Sequence, residues 1–100
     1  MSDFDAILRA VRELKAATVS PAALPGAIQA FQQLIWNTED WPAELSRGSS
    51  DVLRTLAYDL DHFVPDPVRR AEDRVYYGFD RAVEEIREAL TRTPEFEGAA

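Results

Sequence analysis

The sequence predicts an all-α fold, a compact four-helix bundle in a single domain. Three observations predict it. Apolar residues recur at intervals of three and four in four separate stretches, the spacing that gives a helix one greasy face. No stretch of useful length alternates with period two, so no sheet is expected. Proline, glycine and serine clusters separate the four stretches, where helices start and stop. One hundred residues supply one core of this kind, and there is no repeat or linker to divide them. The expected domain is residues 1–94, with 95–100 a frayed tail.

The first helix is expected from a cap at Asp3 to about Ala17, with Phe4, Ile7, Leu8, Val11 and Leu14 on one stripe and Arg9, Arg12 and Glu13 opposite. Ser20-Pro21 reads as the next start, a hydroxyl cap before a proline. Pro25 and Gly26 weaken the turn that follows, which moves the start toward Leu24. Leu24, Ala27, Ile28, Phe31, Leu34 and Ile35 then share a face as far as Trp36.

Asn37 to Gly48 reads as a loop with a short turn after Pro42. Ser49 or Ser50 caps a third helix from Asp51 to about Phe63, with Leu53, Leu56, Ala57, Leu60, Phe63 and Val64 inward. Pro65-Asp66-Pro67 stops it, because proline lacks a donor and constrains the residue before it. Residues 68–78 read as irregular, with either Tyr76 or Tyr77 pinning the loop. The fourth helix spans about Asp80 to Arg92, with Phe79, Val83, Ile86 and Leu90 inward.

The formal net charge is −7, distributed unevenly. Residues 1–38 are neutral, 39–66 carry −5 and 67–100 carry −2. A surface of this sign repels nucleic acid and anionic membranes and favours a basic protein partner. Without cysteine there are no disulfides and no thiolate metal sites, which fits a cytoplasmic protein. The acidic N-terminus is not that of a signal peptide, and no apolar run approaches the ~20 residues that span a bilayer.

A search for chemistry finds little. There is no phosphate-cradling glycine loop and no nucleophile-elbow serine, and His62 is the only histidine. Asp59 and His62 are three apart, but one imidazole and one carboxylate fall short of the usual three or four metal ligands. Glu84 and Glu88 lie one turn apart on an outer face, where solvated carboxylates are the simpler account. The expectation is therefore a non-enzymatic protein without cofactor or metal.

Aromatic residues are more suggestive. Trp36 falls off the stripe of its helix, and Trp41 sits in the acidic loop Thr38-Glu39-Asp40-Trp41-Pro42. Each either anchors a partner or folds under the loop to close the end of the bundle. Tyr58 falls on the outer face of the third helix among Asp51, Thr55 and His62. Asp59, Asp61 and Asp66 gather at that helix's C-terminal end, where the dipole already makes acids unfavourable. Either a basic partner accounts for them, or they bond nearby amides or pair with Arg69 or Arg70.

The stretch Asp59-Leu60-Asp61-His62-Phe63-Val64-Pro65-Asp66-Pro67-Val68-Arg69-Arg70 resembles the colicin D immunity family, colicin-like proteins by which bacteria protect themselves. The final helix Val83-Glu84-Glu85-Ile86-Arg87-Glu88-Ala89-Leu90 is similar too, as is Val19-Ser20-Pro21-Ala22-Ala23 leading to Phe31. The chain departs from the pattern in a longer 68–78 loop bearing Arg69, Arg70 and Arg74, and around Trp36 and Trp41. The resemblance implies an acidic helical protein that inhibits a nuclease toxin, a tRNase in the namesake, by placing carboxylates where substrate phosphates go. By position it implies Asp59, Asp61 and Asp66, with Glu72 and Asp73, as contact residues; Tyr58 or Trp41 is the expected anchor. The alternative is a helical adaptor or homo-oligomeric structural protein, with Trp36 and Trp41 as the self-association patch. Monomer and dimer are both compatible with the sequence.

Overall fold

Helix α1 (Asp3–Ala17) buries Ile7, Val11, Leu14 and Ala17. Asp3 and Asp5 in its first turn and Lys15 in its last match the helix dipole. These elements belong to a computed structural model that describes residues 3–93; the proposed tail, 95–100, lies outside the described residues. Thr18 ends α1 by donating its hydroxyl to the Lys15 carbonyl at 2.6 Å.

Ser20 closes a turn instead of capping a helix. Its carbonyl accepts from the amides of Ala23 and Leu24, both at 3.1 Å. Helix α2 (Leu24–Asn37) therefore begins at Leu24, with proline at its entrance, where a missing amide hydrogen costs nothing. It buries Leu24, Ile28, Phe31, Gln32 and Ile35. Gln32 lies on that inner face because its Nε2 donates to the Ala57 carbonyl of the next helix at 3.1 Å. The Thr38 hydroxyl, 2.7 Å from the Leu34 carbonyl, satisfies an end of α2 that has no glycine.

Helix α3 (Arg47–Asp59) starts earlier than the sequence suggests. Ser46 is the cap, and its Oγ accepts from the Ser49 amide at 3.1 Å. Ser49 and Ser50 are buried in the first turn, so neither caps. The α-helix also stops short of Phe63. It tightens after Asp59 into a 3₁₀ turn, Leu60–His62, which still buries Leu60.

The region expected to be irregular contains a fifth helix. Asp66 Oδ1 accepts from the Val68 amide at 3.0 Å and caps the single turn α4 (Pro67–Arg70). The chain then returns to Phe63, where Tyr77 forms an isolated parallel bridge. The Val64 amide donates to the Tyr77 carbonyl at 2.9 Å, and the Tyr77 amide donates to the His62 carbonyl at 3.0 Å. Among the described residues there is no strand. Helix α5 (Phe79–Thr91) closes the fold and buries Ala82, Val83, Ile86 and Ala89.

Among the described residues the domain is mostly helical, with five α-helices and one 3₁₀ turn where the sequence predicts four helices. Helix α2 packs on α1 and α3, and α5 packs on α3 and α1. Ile7, Leu14, Leu24, Phe31, Leu53, Leu60 and Ile86 meet in the middle, each at 1% exposure or less. Burial of each such side chain contributes about 1.5–3 kcal/mol. Those contacts fix the α2–α3 seam and the α3–α5 seam, which hold the surface features described next. No helix is long and apolar enough to cross a membrane among the described residues.

Candidate interaction surface

The acids named from the sequence divide into three groups. Asp59 is turned partly inward. The Tyr77 hydroxyl donates to its carbonyl at 2.7 Å and also lies 3.2 Å from its Oδ2. Asp66 and Asp73 hold backbone: Asp66 caps α4, and Asp73 Oδ1 accepts from the Val75 amide at 3.1 Å. Asp61 and Glu72 are exposed, with no ion pair or hydrogen bond from their side chains among the described residues.

Asp59 belongs to a small network between the end of α3 and the outer side of α5. Burial holds its carboxyl above the usual carboxylate range, and the neighbouring Glu85 adds to the effect. Glu85 is held below its usual range, first by Arg81, whose Nε donates to Glu85 Oε1 at 2.7 Å. Burial raises the Tyr77 phenol, and the Asp59 charge raises it further. Arg81 also lies over the Tyr77 ring, 5.8 Å from its centroid. Tyr77, not Tyr76, therefore pins the return segment to α3 and α5.

The two tryptophans have different places. Trp41 is half-buried against the core, its Nε1 is shielded from solvent, and Arg54 lies over its ring at 5.0 Å. Trp36 is 49% exposed and meets Tyr58, 70% exposed, across the α2–α3 seam. Their ring centroids are 6.2 Å apart with planes inclined at 56°. The sequence places Tyr58 on an outer face and leaves Trp36 either exposed or folded under the loop; its exposure and its contact with Tyr58 depend on how α2 and α3 pair.

The remaining carboxylates of the acidic stretch, Glu39, Asp40, Glu44 and Asp51, are exposed. The two salt bridges resolved among the described residues, Arg81–Glu85 and Arg92–Glu88, lie at or within α5, so neither neutralises that stretch. His62 Nδ1 contacts the Asp59 carbonyl at 3.1 Å, which suits the tautomer protonated there. Among the described residues no three histidine or acidic side chains converge as metal ligands. Glu84 is exposed on α5, and Glu88 stands 3.8 Å from Arg92. No protein-family model, curated protein or solved structure matches this chain.

Proposed function

We propose that this chain is an acidic inhibitor of the immunity type, which binds and neutralises a basic bacteriocin or toxin nuclease, a tRNase by the resemblance above. It acts without catalysis and without a cofactor, in the cytoplasm where such a toxin would do harm. Its long helices are read as a four-helix bundle, α1, α2, α3 and α5, with α4 an insertion ahead of the last.

One observation carries this reading: every acid between 39 and 66 except Asp59 is exposed, and none is in an ion pair among the described residues. Unneutralised carboxylates in one stretch repel each other in the free protein. Against a basic cleft the same charges accelerate encounter and select the partner. Asp61 and Glu72, which no bond engages among the described residues, are the readiest to stand in for phosphates. Asp66 and Asp73 retain acceptor capacity beyond their backbone bonds, while Asp59 serves chiefly to hold the return segment. Tyr58 is the more accessible of the two expected anchors, and Trp36 joins it in place of Trp41.

The test is capture from a lysate of the producing cell at low salt, release at high salt, and assay of what elutes. A basic protein that cleaves RNA, and is silenced by one equivalent of the chain, supports the proposal. An eluate free of nuclease activity, from cells that express the toxin, contradicts it.

A further inference from the structure

Among the described residues two aromatic rings already carry a guanidinium of the chain itself: Arg54 over Trp41, and Arg81 over Tyr77. The exposed pair does not. Trp36 and Tyr58 meet at the α2–α3 seam with their planes inclined at 56°, and both rings stay open to solvent. Among the described residues no cation of the chain lies over either ring.

The sequence explains why. No lysine or arginine stands between Lys15 and Arg47, so all of α2 and the loop after it lack cations. None stands between Arg54 and Arg69, where His62 is the one basic side chain. Arg54, one turn before Tyr58 on α3, lies on the Trp41 ring instead. The charges that follow the two rings along the chain are negative: Glu39 and Asp40 three and four residues after Trp36, and Asp61 three after Tyr58. Exposed π faces attract a cation through the ring quadrupole, and the negative charge of the segments that carry them adds to the attraction. Arginine suits this better than lysine, because its flat guanidinium stacks on a ring while its edge donates to carboxylates.

We infer that the exposed Trp36–Tyr58 pair is the anchor point for an arginine side chain of a basic protein partner. This rests on the acidic-inhibitor reading and names the chemistry of its strongest contact. A second copy of the chain is a poorer occupant, since it brings another −7 to the same surface.

The full chain is titrated with a capped tri-arginine peptide, with capped tri-lysine and tri-glutamate as controls. The indole and phenol ring signals of Trp36 and Tyr58 are followed by NMR. The expected result is that tri-arginine shifts both residues, binds more tightly than tri-lysine, and loses about 5-fold or more in affinity in Trp36→Leu. Thermal melting, unchanged in that exposed-site variant, shows that the fold persists; Tyr58→Leu gives a second, independent variant. Equal tri-arginine binding by both variants and the native chain overturns the assignment, while leaving the basic-partner proposal to its own nuclease assay. A mass that doubles from 11.3 kDa with concentration, and ceases to do so in Trp36→Leu, assigns the ring pair to a second copy and also overturns the inference. No binding of tri-arginine overturns it as well.

Discussion

The hydroxyl of Tyr77 reaches Asp59 across eighteen residues of sequence, 2.7 Å from its carbonyl oxygen and 3.2 Å from its carboxylate. This contact ties the return segment to the end of α3 at the point where the α-helix tightens into a 3₁₀ turn. Tyr77→Phe keeps the ring under Arg81 and removes only the hydroxyl. A loss of about 1–2 kcal/mol is expected, because a partly buried acceptor loses its donor. In a domain of this size that lowers Tm by roughly 4–8 °C per kcal/mol, measurable by thermal melting.

Asp59 makes a prediction with a sign. Its carboxyl titrates above the usual value through burial and then through Glu85. A raised folded value means that its contribution to stability is present in full below the unfolded value of 3.8 and is lost as pH rises through the folded one. Asp59→Asn retains an oxygen for Tyr77 without the charge. Its stability relative to the native chain should therefore be more favourable at pH 7 than at pH 3. Glu85 acts in the opposite sense, since its lowered value gives stability above the unfolded 4.5 that is lost in acid. Paired melts of Asp59→Asn and Glu85→Gln, each at both pH values, should separate the two.

Ser46 caps α3 through the Ser49 amide. Ser46→Ala should cost about 1 kcal/mol, the usual value of a lost N-cap. Ser46→Asp, which keeps an acceptor and adds charge at the positive end of the helix, should restore it. Chemical denaturation of the three proteins provides the comparison.

Exposed acids that serve a partner should be dispensable to the fold. Asp61→Asn and Glu72→Gln are expected to leave unfolding stability within about 0.5 kcal/mol of the native chain, or to raise it by relieving repulsion. The same variants should slow association with a basic partner and flatten its salt dependence, as measured by stopped-flow mixing.

The core was legible where one periodic stripe met one partner surface. Ile7, Val11 and Leu14 on α1, and Ile28, Phe31 and Ile35 on α2, are buried as their spacing predicts. The boundaries of α3 were less so. Ser49 and Ser50 read as the caps because they stand directly before the apolar stripe, and only packing decides that both are buried and that Ser46 caps. Helix α4 has no stripe because it is one turn long; Asp66-Pro67, read as a stop, also has the cap-then-proline form of a start. Gln32 was hidden for a similar reason: an amide on an apolar face is legible only once its acceptor, the Ala57 carbonyl, is known. Of the candidate surface, the outward placement of Tyr58 was readable; Trp36 left its helix stripe, but only packing decides that it stays exposed and meets Tyr58. Composition could not separate Asp61, whose side chain makes no bond among the described residues, from Asp59, which Tyr77 holds.

The central claim is that the exposed carboxylates engage a basic nuclease. Inhibition of RNA cleavage by the toxin captured from the producing cell tests it most directly, with native chain and the Asp61→Lys/Glu72→Lys double variant compared at low and high salt. The account predicts full inhibition by the native chain at one equivalent, weakened by salt and by at least ~10-fold in the variant, from two like-charge contacts. Inhibition that is the same for both proteins and indifferent to salt would contradict it.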